Sequence, residues 1–295
     1  MFFSKLSIAL SLSALLATPA SGPAFRGSAA FLYTKKAVSY GERPSGSEAI
    51  SHLREWIISE LKPLKGQLSL QSFTGQTPIG PVPMVNIVYK FPGSSGKALV
   101  VTGHYDTKRI PMVHFVGAND SGSSTGFLLE FARAVSMMKH RDDIYLVFFD
   151  GEEAVANWTE TDSRYGSRYL AAKWLSEGTL PNIKALINVD MIGDKDLDIS
   201  NDGNSSRALR SQVRQIAAHL GYSKYFRSEE GGIEDDHLPF INAGVNAIDL
   251  IDIDFGPHNS YWHTAEDTVD KLDAHSFQVM GDVVLQLVKE LDGQS

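Results

Sequence analysis

Residues 146–158, LVFFDGEEAVANW, join an apolar run directly to a charged tip. Ile144, Leu146, Val147, Phe148 and Phe149 read as a strand buried on both faces, which puts helices on either side of its sheet. Asp150, Glu152 and Glu153 stand at the carboxyl end of that strand. Three carboxylates are costly there unless paired or bound to a cation. Side chains alternate along an extended backbone, so Glu152 and Glu153 face different ways. One can hold a cation while the other serves in proton transfer. In isolation the same string also fits a solvated strand end.

Outward from this strand the pattern alternates. Ser45 or Ser47 can cap a helix through Ile50, Leu53, Ile57 and Leu61, stopped by Pro63 and Gly66. Leu68–Phe73 alternates like a strand, and Gln76–Pro83 reads as a Pro/Gly-rich loop. Val85–Phe91 and Ala98–Thr102 read as strands, Gly122–Met138 as a helix, Tyr165–Leu175 as a helix and Ala185–Val189 as a further buried strand. Leu209, Val213, Ile216 and Leu220 mark a helix ended by Gly221. Ala247–Ile251 is a strand, and Phe277 to Leu291 keeps the period of a closing helix. No repeat or linker interrupts the series. The expectation is one α/β domain, a central, mostly parallel but mixed twisted sheet with helices on both faces.

Composition narrows the chemistry. The chain has 295 residues, 43% of them hydrophobic, enough to bury a large core. A net charge of −8 without a basic block argues against nucleic acid as a partner. There is no cysteine, so disulfides and thiolate ligands are excluded, leaving His, Asp and Glu to bind a metal. Lys5, the apolar stretch Leu6–Leu16 and the small residues up to Ala20 form an export-signal pattern, too short for a membrane span. The expectation is a signal peptide over residues 1–20 and an exported catalytic domain over 21–295, periplasmic or secreted, with no membrane span after removal of the signal. Nothing in the sequence specifies an oligomeric state.

The polar residues recur just past apolar strands. His104 and Asp106 follow Ala98–Thr102, Asp120 precedes the Gly122 helix, and Asp190 follows Ala185–Val189. Asp235, Asp236 and His237 open a short helical segment, and His263 lies beyond Ala247–Ile251. Ligands of open α/β sheets gather outside the carboxyl ends of the strands. His104, Asp120, Glu153, Asp190 and His263 are therefore the candidate zinc ligands, with Asp106 behind His104 to orient it. Singly, each has an ordinary alternative, Asp120 as a helix cap for instance; together they point to one site. His52, His140, His219 and His275 read as surface residues, while His114 and His258 stay open.

HYDT at 104–107, NDSG at 119–122, DGEE at 150–153, NVDMIG at 188–193 and YWHT at 261–264 resemble the zinc aminopeptidases of the M28 family. FFDGEEAVANW, DSRYGSRYLA at 162–171, GGIEDDHLPF at 231–240, QTPIG at 76–80 and Trp262 before His263 resemble one branch, the animal-type glutaminyl-peptide cyclotransferases. The resemblance runs from about Arg43 to the C-terminal helix. It implies one zinc per chain held by Asp120, Glu153 and His263, with Glu152 as acid/base and Asp190 and Asp235 in an acidic network beside it. It implies a pocket lined by Trp158, Ile233 and Trp262, and peptides or proteins with N-terminal Gln as substrates. NDSGSS and NVDMIG are nearer the aminopeptidase wording, the loop Phe255–Tyr261 is longer than its counterpart, and the disulfide of animal relatives is absent.

N-terminal glutamine carries its own amine nucleophile and amide electrophile, so holding it folded supplies much of the rate. The alternative is an M28-type dizinc aminopeptidase, with His104 and Asp190 completing a second metal site. A binding domain without activity would lack a ligand or the base, and all are present.

Overall fold

Strand parity decides which side each helix covers. In the computed structural model, which describes residues 24–293, one sheet holds β1 (Gln67–Thr77), β2 (Gly80–Phe91), β3 (Ala98–His104), β4 (Asp143–Phe149), β5 (Ile183–Asp190) and β8 (Ala247–Ile251). The order is β1-β2-β4-β3-β5-β8. β1–β2 and β2–β4 are antiparallel; β4–β3, β3–β5 and β5–β8 are parallel. The mixed α/β sheet expected from sequence is therefore present. The signal expected over residues 1–20 lies outside the described residues.

Ile87, Leu99, Val101, Leu146, Phe148, Ile187 and Val189 face α1 (Gly27–Val38), α2 (Glu48–Leu61), α3 (Gly122–Ser136), α5 (Arg207–His219) and α7 (Ala274–Asp292). The alternate residues Val88, Val100, Val147, Phe149 and Leu186 face α4 (Tyr165–Ser176) and α6 (Leu238–Asn242), where Leu170, Trp174 and Phe240 complete a smaller core. Each buried Phe or Leu stabilises by roughly 1.5–3 kcal/mol. Both faces being covered is why the strands read as unbroken apolar runs.

Ser47 caps α2, its hydroxyl accepting from the Ile50 N–H at 3.2 Å, and the helix buries Ile50, Leu53, Ile57 and Leu61. Two features depart from the expectation. Gln76–Pro83 is not a loop: β1 and β2 continue through it as a hairpin closed at Thr77 and Gly80. Pro81 and Pro83 are tolerated because β2 pairs with β4 only from Ile87 onward, leaving their outer side free. The second is α1, which buries Gly27, Ala30, Thr34 and Ala37. It lies so close to α3 that a Cβ on Gly126 would stand 2.5 Å from the Ala30 carbonyl oxygen. Between β5 and α6 a separate two-stranded sheet forms from β6 (Ile199–Asp202) and β7 (Phe226–Gly231).

Candidate active site

The parallel strands β3, β4, β5 and β8 present their carboxyl ends together, and the polar residues collect there. His104 ends β3, its Nε2 lying 3.1 Å from Asp190 Oδ1 at the end of β5 and 3.2 Å from Asp120 Oδ1. The other oxygen of Asp120 is 3.1 Å from His263 Nε2, and Glu153 Oε1 is also 3.1 Å from that nitrogen. Two overlapping groups result, His104–Asp120–Asp190 and Asp120–Glu153–His263, the ligand atoms of each within 4.8 Å of one another. Asp120 does not cap α3: the cap position is Ser121, and the Asp120 carboxylate faces the two imidazoles.

Burial pushes the Asp120 carboxyl up, but hydrogen bonds from His104 and His263 outweigh it and hold the group well below the usual carboxylate range. Burial lowers His263, but hydrogen bonds to Asp120 and Glu153 and their charges outweigh it and raise the group to about 9. Glu152 is pushed well up by burial and by the charges of Glu153, Asp235 and Asp236, against the opposing charge of His104. Asp190 is raised to about 7, chiefly by burial.

A cavity of about 400 Å³ opens over this cluster. Glu152, Trp158, Ile233, Asp235, Trp262 and His263 are among its walls. Trp262 stacks on His263 with ring centroids 4.1 Å apart and planes 23° apart, and Phe115 meets the same imidazole edge-on at 5.7 Å. Trp158 is held by its Nε1–H donating to Glu234 at 3.2 Å and by the Arg164 guanidinium 5.5 Å from its ring. Lys108 reaches Glu153 Oε2 at 3.2 Å. Phe255 is fully buried against Tyr261 and takes no part in the cavity wall.

Backbone clamps complete the site, and their partners were not apparent from residue type. Asp106 accepts from the Glu152 and Glu153 N–H groups at 3.1 and 3.3 Å. Its oxygen stands 3.5 Å from His104 Nδ1, which has no hydrogen-bond partner among the described residues. Asp106 therefore aims the DGEE backbone while standing behind the imidazole at ion-pair distance. Asp267 accepts from the N–H groups of Asn119 and Asp120 at 2.7 and 3.2 Å. Asp150, raised to about 7 by burial, accepts from Ser45 at 2.6 Å and from the Val85 N–H at 2.8 Å, anchoring the strand tip. His114 pairs with Glu42 on an exposed surface, and His237 is buried 3.0 Å from Asp202.

The model of peptidase family M28 matches residues 86–288. A glutaminyl-peptide cyclotransferase of Drosophila melanogaster is 31% identical over 257 residues, covering 78% of this chain and 72% of that protein. The crystal structure of an Acidobacteriales bacterium glutaminyl cyclase aligns with a TM-score of 0.89 at 38% identity, covering 99% of this chain and 100% of the other. A Zn-dependent exopeptidase from Parabacteroides distasonis aligns with a TM-score of 0.80 at 27% identity, covering 91% and 99%.

Proposed function

We propose, because this chain belongs to peptidase family M28, that it is a zinc-dependent glutaminyl-peptide cyclotransferase. It converts the N-terminal glutamine of peptides or proteins to pyroglutamate and releases ammonia. The observation that carries this reading is the indole of Trp262 stacked on His263 in the cavity that Glu152 also lines. An enzyme that hydrolyses must admit water beside its metal; one that closes a ring must keep water away. A flat apolar wall against a metal ligand serves the second task.

The donor set fits one zinc: an imidazole nitrogen and two carboxylate oxygens, from His263, Asp120 and Glu153, with the cavity side left for substrate. Zinc, when bound, polarises the glutamine γ-carbonyl and favours the negative charge that develops on its oxygen. The remaining work falls to side chains. Glu152 accepts a proton from the substrate α-amine, whose nitrogen forms the new bond to the side-chain carbonyl carbon. As the bond to the amide nitrogen breaks, Glu152 returns the proton and ammonia departs. Burial, with the charges of Glu153, Asp235 and Asp236, raises its carboxyl well above the usual carboxylate range, which favours proton transfer over permanent ionisation. Asp190 and Asp235 form the acidic network beside it, and Trp158, Ile233 and Trp262 hold the folded glutamine, so that ring closure is an intramolecular event.

Residues 21–295 form the catalytic domain in this reading, and the Lys5 to Ala20 pattern directs export. Among the described residues no helix is long and apolar enough to cross a membrane. One observation favours a second reading, a dizinc aminopeptidase: His104, Asp120 and Asp190 form a second group of ligand geometry. Mass spectrometry of one Gln-initiated and one Leu-initiated peptide separates the two. The cyclase reading expects a loss of about 17 Da from the first, the mass of one expelled ammonia, and no change in the second. Free N-terminal amino acids from either peptide would overturn it.

A further inference from the structure

Below the strand tips lies a polar layer with no evident place in an apolar sheet. Thr102 of β3, Asn188 of β5 and Asp249 of β8 stand side by side in register, all buried. Each is two residues before a strand end, on the face covered by α4 and α6, and neighbouring positions of these strands are apolar. The hydroxyl of Thr102 donates to Asn188 Oδ1 at 2.7 Å, and the carboxylate of Asp235 opposite marks the other end of the amide as nitrogen. Both hydrogens of that nitrogen are then used, toward Asp235 Oδ2 at 2.7 Å and Asp249 Oδ1 at 3.1 Å. The second oxygen of Asp235 accepts from the Asp236 N–H. The Asp249 N–H in turn donates to the Ser205 hydroxyl at 2.9 Å, and that hydroxyl donates to Asp202 at 2.6 Å. Buried polar groups are expensive unless fully hydrogen-bonded, so an all-apolar rung would be the simpler way to fill this space.

We propose that Asn188, oriented by Thr102 and Asp249, is a positioning residue that holds the Asp235 carboxylate in the geometry the ring-closing reaction needs. Asp235 precedes α6 in a non-repetitive segment, and the contacts to its two oxygens differ in kind. The Asp236 N–H is local and moves with the segment; the Asn188 amide is carried by an interior strand of the sheet. Only the second ties Asp235 to the rigid frame that also carries His104 and Asp190, two residues farther along the same strands. Asn188 is neither in the cavity wall nor among the candidate ligands, and of its hydrogen-bond partners Thr102, Asp235 and Asp249 only Asp235 lines the cavity, so it acts through Asp235.

The inference rests on the cyclase reading, and the test keeps the two apart. Steady-state kinetics on a Gln-initiated peptide are measured for the wild type, Asn188→Ala, Thr102→Val, Asp235→Asn and the Asn188→Ala/Asp235→Asn pair, with zinc content and melting temperature recorded for each. Asn188→Ala should lower kcat about 10- to 100-fold through misplacement of Asp235, with KM and zinc content nearly unchanged. Thr102→Val, which keeps its shape and releases only the amide, should lower kcat about two- to tenfold. In the Asp235→Asn background, Asn188→Ala should add less than about twofold, because the two act as one unit. An unchanged kcat in both Asn188→Ala and Thr102→Val, or a full further loss in the Asp235→Asn background, would overturn the inference and leave the cyclase reading intact. A wild type that does not cyclise the peptide would overturn both.

Discussion

Two groups of ligand geometry share Asp120 and differ in their surroundings. Asp120–Glu153–His263 opens on the cavity: the His263 side chain is 20% exposed, and all three residues belong to the wall. His104–Asp120–Asp190 is more enclosed: Asp120 and Asp190 reach the same wall, but the His104 side chain is 1% exposed and lies outside it. In both groups the imidazole Nε2 stands 3.1–3.2 Å from two carboxylate oxygens. The residue types are nearly the same in both, so composition does not distinguish them; access does. A catalytic zinc needs a coordination position that substrate can enter, and the first group faces the cavity with all three of its members. In the proposed reading, His104 of the second group braces Asp120 and Asp190.

The largest effects should come from the two neighbouring glutamates, which divide the labour of the open group. Glu152→Gln should reduce kcat by about 10²- to 10⁴-fold while zinc stays bound, since it removes a proton acceptor and not a ligand. Glu153→Gln should lose zinc first and activity with it. Metal analysis beside the kinetics decides: zinc lost from Glu152→Gln and kept by Glu153→Gln would reverse the assignment.

The histidines give the next contrast. His263→Ala should release the metal and stop turnover. His104→Ala should keep zinc and lower activity by about 10- to 100-fold, the range for a residue that supports a ligand from behind. Equal zinc loss in both variants, measured on dialysed protein, would erase the distinction between the groups.

How much of this could be read before folding depends on what kind of residue does the work. The apolar strands and their acidic tips were legible, because burial on both faces leaves long runs of Val, Ile, Leu and Phe that stop at the site. The helix capped by Ser47 was legible for the same reason, through its large apolar stripe. α1 was not: its buried face is Gly27, Ala30, Thr34 and Ala37, small residues chosen for close approach, which leave no hydrophobic signal. The β1–β2 hairpin was masked by Pro81 and Pro83, whose breaker character holds only where the missing N–H matters. In the site, ligand-type residues stood out by chemistry and position. Asp267 and Asn188 did not, nor did the hold of Asp106 on the DGEE backbone, since each works on a backbone or a neighbour brought near only by the fold.

The smallest expected effect lies away from both groups and serves as their control. Asp252 is fully buried, with one oxygen accepting from the Asp198 N–H at 2.9 Å and the other lacking a hydrogen-bond partner among the described residues. Burial raises its carboxyl to about 8. The folded chain therefore keeps a proton that the unfolded chain releases near its ordinary 3.8. Stability is lost as pH rises from about 4 to about 8, and little more is lost above that. Asp252→Asn removes this dependence. Its melting temperature relative to wild type should rise by about 2–4 °C or more between pH 5 and pH 8.5. A constant difference across that range would mean that the group does not titrate as its burial implies.

The central claim, that one open group holds the zinc with which this chain cyclises glutamine, is tested most directly by metal add-back. Chelator-stripped protein receives zinc in steps, and conversion of a Gln-initiated peptide is followed by mass. The account predicts that loss of ammonia, about 17 Da per peptide, saturates near one zinc per chain. Activity that climbs to two equivalents and yields free N-terminal amino acids would contradict it.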